Sequence, residues 1–349
     1  MVASKGFLRR RRNAPVESRF PIPQGDGLEI MEGVVMNHST LQNIAICGIG
    51  QMGAAAAVSF RRAGYRVLLW TRDPGKLAAV EPALDSLETW MDEHVGPAPS
   101  EAGTTELIDE LPVVDQRADL VMDCIAEDMA QKVALFRRMT DCLSRGSIFI
   151  TTTSGLSITQ LGRQSGTGHL LVGTHFWNPP HLMPLVEVIR GDDTPPGLMD
   201  RVCDLVESIG KIPVRVNQDV PGFIGNRLLH ALWREAIHLV ERGIASPADI
   251  DRVVRLTFGL RLSAVGPLEN MDLVGLDLVK NIHDYLLADL ADNHQPSKLL
   301  EEMVRRHESG MKNGKGFYDW TKRDGTTLIE RRDRQIVNQI NYLKELDTP

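Results

Sequence analysis

The feature that most constrains this sequence is a glycine-rich turn, Gly48-Ile49-Gly50-Gln51-Met52-Gly53, which has the pattern G-x-G-x-x-G. It follows a predicted strand at 43–47 and opens a predicted Ala-rich helix that Gly64 ends. In this context the first glycine allows a tight turn, the second lets a pyrophosphate approach the backbone, and the third lets the helix pack closely on the strand. The turn therefore predicts a dinucleotide-binding site, and the alternative is a tight turn that binds nothing.

Strand and helix patterns alternate after this turn. Apolar runs predict strands over 65–70, 118–125, 147–152, 170–174, 185–189 and 212–216, and helices are predicted over about 128–143 and 196–209. Such alternation predicts an α/β fold with a Rossmann-type, doubly wound, mostly parallel sheet. After Pro221 only helical periodicity remains, over 223–242, 247–257, 273–291 and 297–307, which predicts an all-α C-terminal domain.

These patterns divide the chain into four predicted segments. A flexible basic tail at 1–40 precedes a dinucleotide-binding Rossmann domain at 41–219, a helical substrate domain at 220–325 and a C-terminal helical extension at 326–349. The first 20 residues carry six Lys or Arg against a single Glu. Such a start is compatible with a transit peptide, a nucleic-acid arm or a segment without function, and we expect that removing residues 1–35 leaves activity intact.

Charge and composition argue against several classes of function. The 349 residues carry a net charge of −7, which gives no support to nucleic-acid binding. The apolar runs are shorter than the roughly 18–20 residues that a membrane span needs. The four Cys form no C-x-x-C pair, which argues against a disulfide framework or a zinc site. We therefore expect a cytoplasmic protein that acts on a small molecule, with no metal, nucleic acid or membrane partner.

The end of the second strand bears on the choice of cofactor. An acid normally stands there to hold the ribose 2′-hydroxyl of NAD, but this sequence has Thr71 followed by Arg72. No carboxylate at that position repels a 2′-phosphate, and the guanidinium can pair with one. The pair mildly favours NADP over NAD, whereas Asp73 could still reach a ribose and Arg72 could be a solvated loop charge.

A histidine and a glutamate form the predicted catalytic constellation. His175 stands near the end of a strand, and Glu187 lies within the apolar run 185–189, where a carboxylate is costly without a partner. A His–Glu pair suits hydride transfer at an alcohol, because the imidazole takes the hydroxyl proton and the carboxylate orients it. Ser154 and Asn226 are candidate substrate-side groups, although Ser154 could instead cap the helix that follows it.

Taken together, several motifs resemble the 3-hydroxyacyl-CoA dehydrogenase family. They are the glycine-rich turn, Ser154, the run His175–Pro180, Glu187, the run Gly222–Arg227 and the run Lys312–Tyr318, in matching order over roughly 43–320. The resemblance implies His175 as base, Glu187 as its partner, and Ser154 and Asn226 at the substrate. It further implies cofactor contacts, which are Glu127, Lys132, Asn178 and Lys312. It also implies a helical domain that forms a homodimer, and a place in fatty acid metabolism.

The sequence departs from that family in the arm that holds CoA in its CoA-specific members. The corresponding stretch, about 75–115, contains Lys76 as its only Lys or Arg against ten acids. Thr152 and Gly155 also replace the usual Asn and Ser. Relatives in the same superfamily act on free acids such as gulonate, carnitine or a pyridine carboxylate, which carry no CoA. The run Trp177–Glu187 looks especially like the enzymes that act on the pyridine carboxylate. We predict a 3-hydroxyacyl-CoA-type dehydrogenase; the alternatives are a dehydrogenase of a free hydroxy acid and a non-catalytic dinucleotide-binding protein.

Overall fold

The computed structural model describes residues 41–98 and 101–347. The basic tail predicted at 1–40 lies outside the described residues, as does the expectation about its removal. Leu41 begins one compact unit that contains every element named below.

Eight strands form one sheet whose spatial order is β3-β2-β1-β4-β5-β6-β7-β8. All neighbouring strands are parallel except β6 and β7, which form an antiparallel pair. The strands are β1 Asn43–Cys47, β2 Arg66–Trp70, β3 Thr105–Ile108, β4 Leu120–Asp123, β5 Ile148–Thr151, β6 Leu171–Phe176, β7 Leu185–Ile189 and β8 Ile212–Val216. The predicted fold class, a doubly wound and mostly parallel sheet followed by helices, is confirmed.

Alternate residues of the central strands belong to two separate cores. Ile44 and Ile46 pack in one apolar cluster, whereas Ala45 and Cys47 pack in the other. Since successive side chains of a strand point to opposite faces, the sheet is buried on both sides by helices. These helices are α1 Gln51–Arg62, α2 Val80–His94, α3 Leu111–Arg117, α4 Met129–Arg137, α5 Thr140–Arg145, α6 Ile158–Ser165 and α7 Pro196–Ser208.

One predicted helix is in fact two. The pattern over 128–143 predicts a single helix, but α4 ends at Arg137 and α5 begins at Thr140. The Asp115 carboxylate explains the break, because it accepts hydrogen bonds from the backbone N–H groups of Asp141 (3.1 Å) and Cys142 (2.8 Å). These bonds satisfy donors at the start of α5, and so a side chain on α3 starts a new helix there.

The C-terminal part of the described chain is helical. Its elements are α8 Gly225–Glu241, α9 Pro247–Leu256, α10 Phe258–Arg261, α11 Pro267–Val274, α12 Leu276–Leu286, α13 Lys298–Arg305 and α14 Gly325–Asp347. The helix predicted over 273–291 is also divided, since Gly275, with φ of 98°, separates α11 from α12. The predicted domain boundary near 217–221 falls between β8 and α8 and stays a prediction.

The helical segment, residues 225–347, has almost no interior of its own. Met303 is its one buried residue among those whose burial the structure describes. Large apolar side chains are exposed instead, among them Leu268 (73%) and Leu273 (75%) on α11. A segment of this size needs buried apolar area to offset the conformational entropy that folding removes. The apolar side chains of this segment are therefore mostly accessible to solvent in the described structure.

The four thiols of the chain are free and largely enclosed. Cys47, Cys142 and Cys203 are buried and Cys124 is half-buried. Burial raises the pKa of each thiol, to about 12 for Cys124 and Cys142. In the described part of the chain, no helix combines the length and apolar character needed to cross a membrane.

Candidate active site

The glycine-rich turn has the backbone that its sequence predicts. Gly48 adopts a φ of 116°, and a Cβ there would lie 2.5 Å from the carbonyl oxygen of Cys124. A Cβ on Gly53 would collide with the carbonyl oxygen of Gly48. Only glycine fits either position, which leaves the N-terminus of α1 open to a phosphate.

A cleft of about 430 Å³ adjoins this turn. Its lining contains no carboxylate and includes three cationic side chains, those of Arg72, Lys76 and Arg138. Arg72 donates a hydrogen bond to Oε1 of Gln131 (3.1 Å), which holds the guanidinium at the cleft. The Nε1 donor of Trp70 in the same lining is buried and has no partner. The cleft thus presents three cationic side chains beside the glycine-rich turn and the end of β2.

His175 and Glu187 face one another across the antiparallel strands. They are directly paired in the register of β6 and β7, and His175 Nδ1 lies 2.6 Å from Glu187 Oε2. Both side chains are buried, at 5% and 2% exposure. Because Glu187 occupies Nδ1, the nitrogen available to a substrate is Nε2.

Glu187 has a second set of partners at the start of α8. Its Oε1 accepts hydrogen bonds from the backbone N–H groups of Ile224 (2.9 Å) and Gly225 (3.0 Å). Burial alone raises the pKa of Glu187, but the bonds from His175 and from these two amides together lower it below its usual value. Glu187 is therefore held ionised, as a partner of an imidazolium must be.

Glu127 is placed against the loop that follows β5. Its Oε1 accepts hydrogen bonds from Thr153 Oγ1 (2.6 Å), the backbone N–H of Ser154 (2.8 Å) and Ser154 Oγ (3.1 Å). Burial raises the pKa of Glu127, and these bonds outweigh that effect and lower it. The structure thus brings Glu127 and Ser154 together at the carboxyl edge of the sheet, where α/β proteins bind ligands.

Lys132 lies behind this loop and is almost fully enclosed. Its Nζ is 2.8 Å from Asp123 Oδ2 and 3.7 Å from Glu127 Oε2, and its exposure is 1%. Burial raises the pKa of Asp123 although Lys132 and Thr151 bind its carboxylate. Lys132 is therefore placed to position Glu127, and its predicted contact with the cofactor stays a prediction.

Asn226 joins the helical segment to this loop, since its Nδ2 donates to the carbonyl oxygen of Ser154 (3.0 Å). The alternative interpretation of Ser154 as a helix cap is wrong. The side chain of Ser157 accepts the N–H of Gln160 and caps α6.

The two remaining predicted cofactor contacts differ in position. Asn178 is exposed two residues after the end of β6, and its bond to Pro179 is cis. Lys312 is exposed in a turn of the helical segment and does not line the cleft beside the glycine-rich turn. The structure therefore does not bring Lys312 to the residues that hold a dinucleotide.

Sequence reasoning missed several residues of the site. Thr153 binds Glu127, and Asp123 anchors Lys132. Buried Lys211 donates to the carbonyl oxygens of Pro180 (2.7 Å) and Met183 (2.9 Å), and burial lowers its pKa to about 8. A charged residue in an apolar stretch was the available signal for Asp123 and Lys211, as it was for Glu187.

Metal ligation has no candidate in the parts of the chain that the structure describes: no group of three or more His, Cys, Asp or Glu side chains is arranged to hold an ion.

The sheet, the glycine-rich turn and the buried His–Glu pair define a Rossmann-type dehydrogenase. Family models support this class. The 3-hydroxyacyl-CoA dehydrogenase NAD binding domain matches residues 43–220, and the C-terminal domain of the same enzymes matches residues 222–320. The chain belongs to the 3-hydroxyacyl-CoA dehydrogenase family, an NAD-dependent family of oxidoreductases that act on CH–OH groups.

Individual relatives differ in substrate. The 5-formyl-3-hydroxy-2-methylpyridine 4-carboxylate 5-dehydrogenase of Mesorhizobium japonicum is 34% identical over 298 residues, which cover 85% of this chain and 96% of the relative. A crystal structure of an enzyme of that name, described as an NAD+ dependent dismutase, has a TM-score of 0.82 at 34% identity and covers 87% of this chain and 99% of its own. The human mitochondrial hydroxyacyl-coenzyme A dehydrogenase is 35% identical over 295 residues, 80% of this chain and 91% of the relative.

Proposed function

We propose that this protein interconverts a hydroxyl and a carbonyl group on a compact free carboxylic acid, with His175 as the general base and acid. The observation that carries the proposal is the buried pair of His175 and Glu187, in which one ring nitrogen is taken and the other is available. A non-catalytic role would give no reason to bury these two ionisable side chains, whose desolvation costs free energy.

The residues of the chain account for the proton chemistry. In oxidation, Nε2 of His175 takes the hydroxyl proton of the substrate, and the ionised Glu187 stabilises the imidazolium that results. In reduction the same imidazolium returns the proton to the new alkoxide oxygen. The nicotinamide, when bound, accepts or supplies the hydride. The hydroxyl of Ser154 and the side-chain amide of Asn226 are the groups that we expect to hydrogen-bond to the substrate.

The charges on the arm after β2 support a free acid rather than a CoA ester. Lys76, its lone cation, lies 3.5 Å from Asp73. Two ion pairs join α1 to α2. Arg61 pairs with Glu88, and Arg62 lies 2.5 Å from Asp92, so these two carboxylates hold α2 on α1. Further acids, such as Glu81 and Glu93, remain exposed. The triply phosphorylated nucleotide of CoA would meet repulsion on this arm.

A CoA thioester is the second candidate substrate. The family models and several relatives support it, including the probable 3-hydroxybutyryl-CoA dehydrogenase of Bacillus subtilis, which is 33% identical over 291 residues and covers 81% of this chain and 99% of the relative. In that case the nucleotide of CoA would be held elsewhere or would extend into solvent.

The proposal is tested by the reduction of free 3-oxo acids and of acetoacetyl-CoA, each with NADH and with NADPH. We expect turnover of free acids, and a loss of about 100-fold or more in kcat for His175→Gln and Glu187→Gln with cofactor affinity kept. His169→Gln and Glu106→Gln are matched controls, since both residues are exposed on the Rossmann-type part. Activity on acetoacetyl-CoA alone would reject the free acid, and full activity of His175→Gln would reject the mechanism.

We propose NADP rather than NAD as the preferred cofactor. The cations of the cleft, Arg72, Lys76 and Arg138, suit a 2′-phosphate, and the lining contains no carboxylate that would bind a ribose 2′-hydroxyl. The related enzyme described above is NAD+ dependent, so this preference would distinguish the two.

We also propose that the protein functions as a homodimer through the helical segment. A groove of about 760 Å³ between α8, α9 and the start of α13 is lined by apolar side chains such as Trp233, Ile237 and Leu300. The same segment exposes the apolar side chains of α11 and α12. One chain thus carries both an apolar groove and apolar helices without a partner, and two copies would cover both.

A further inference from the structure

Two aromatic rings flank His175, and the proton chemistry explains neither. The ring centre of Trp177 lies 5.0 Å from that of His175, and the ring centre of Phe223 lies 5.7 Å from it. Phe223 is buried at 1% exposure, whereas Trp177 is half-buried. Of the two rings, only the indole therefore presents surface to an incoming molecule.

Trp177 rests on the first residue of α8, Gly225. A Cβ on Gly225 would collide with Cζ2 of the indole and would lie 3.0 Å from Cη2 and 3.1 Å from Cε2. All three atoms belong to the six-membered ring of Trp177. Gly225 does not adopt a left-handed φ, so its backbone conformation would accept any residue. The indole is the feature that requires glycine here.

The contact between Trp177 and Gly225 is continuous with the catalytic pair. The N–H of Gly225 donates to Glu187, and Glu187 holds His175. The next residue, Asn226, binds the carbonyl oxygen of Ser154. The position of the indole is thus fixed relative to the base by a short chain of contacts, with its ring centre 5.0 Å from that of His175.

We propose that Trp177, seated on Gly225, is the residue that determines substrate specificity at this site. Its indole is a flat apolar wall beside the base, and it selects a planar, ring-bearing hydroxy or oxo acid over a flexible acyl chain. A rigid ring stacks on an indole with little loss of freedom, whereas an alkyl chain loses rotamer entropy when it is ordered there. This inference rests on the proposed function, which it narrows to a substrate shape.

The test uses three variants, Trp177→Phe, Gly225→Ala and the double variant, with benzoylacetate as the ring-bearing substrate and 3-oxohexanoate as the flexible one. In the wild type we expect the higher kcat/KM for benzoylacetate. Trp177→Phe removes the outer ring and should lower that preference about tenfold, through KM for benzoylacetate. Gly225→Ala should lower kcat/KM for both acids by about tenfold or more, since the indole must move.

The double variant separates this proposal from a general loss of structure. Without the outer ring the new methyl group has room, so the double variant should recover the activity lost in Gly225→Ala and keep the reduced preference of Trp177→Phe. An unchanged preference in Trp177→Phe, or no recovery in the double variant, would overturn the proposal. NADPH affinity and thermal unfolding, measured for every variant, report whether each one folds.

The outcome also remains distinct from that of the proposed function. If the wild type reduces only CoA esters, the free-acid proposal fails. The same variants are then compared on benzoylacetyl-CoA and 3-oxohexanoyl-CoA, and the preference for the ring is read within that class.

Discussion

At the scale of single residues, Glu187 shows how one carboxylate serves catalysis and architecture together. One oxygen orients His175, and the other accepts two backbone amides at the start of α8. A Gln at this position keeps the size of the side chain and an oxygen that can accept the two amides, but its NH2 group cannot accept the proton of His175 Nδ1 and its negative charge is lost. The effect of Glu187→Gln on turnover should therefore come mainly from His175 rather than from α8.

Substitution of Arg72 tests the proposed preference for NADPH over NADH. Arg72→Gln should lower kcat/KM for NADPH by about 10- to 100-fold, because a charge-assisted contact to a phosphate is worth roughly 1.5–3 kcal/mol. The value for NADH should stay within about twofold. Steady-state kinetics with both cofactors measure this ratio. The matched control is Arg215→Gln, which removes an exposed arginine of β8 that pairs with Asp200. Equal losses with both cofactors in Arg72→Gln would contradict the NADP proposal.

The sequence predicts the residues of the site better than their neighbours. The pairing of His175 with Glu187 follows from a charge inside an apolar strand, which demands a partner whatever the fold. The rings that flank His175 are uncharged and require no partner, so the sequence alone does not distinguish Trp177 and Phe223 from ordinary core residues. Only the three-dimensional approach of α8 to β6 gives Trp177 its place, and no local pattern encodes that approach.

At the scale of elements, the glycine-rich turn determines how closely α1 approaches the sheet. Gly53→Ala should weaken dinucleotide binding by about tenfold or more, because the methyl group would collide with the carbonyl of Gly48 and push α1 from the turn. Titration of NADPH fluorescence measures the affinity. Gly197→Ala on α7 adds the same methyl group into open space and should bind as the wild type does. Unchanged affinity in Gly53→Ala would mean that the turn does not hold the pyrophosphate.

Element boundaries show where local patterns stop being informative. The strands β7 and β8 lie where their apolar runs predict them. The break between α4 and α5 does not follow from the local pattern because its cause, Asp115, lies 26 residues before Asp141, whose N–H it binds. The strand β3, Thr105–Ile108, was missed because it is short and has a single buried residue, which gives no apolar run.

At the scale of the whole molecule, the exposed apolar faces of the helical segment predict concentration-dependent behaviour. Leu273→Asp should convert the proposed dimer to a monomer, since it places a charge in apolar area that the second copy would cover. Activity should fall with it, because α8 supplies the amides that hold Glu187. Sedimentation velocity measures the assembly state. Ile212→Asp changes a comparably exposed side chain, on β8, and should leave the dimer intact; a dimeric Leu273→Asp variant would place the interface elsewhere.

Because the four thiols are buried or half-buried, the folded chain should react slowly with thiol-directed reagents. Maleimide and similar reagents attack the thiolate, and burial keeps these thiols protonated near neutral pH. A single cysteine introduced at exposed His169, outside the helical segment, would thus label much faster than the native thiols. A fluorophore could be attached there without first removing the native cysteines, so that exchange between copies of the proposed dimer can be followed.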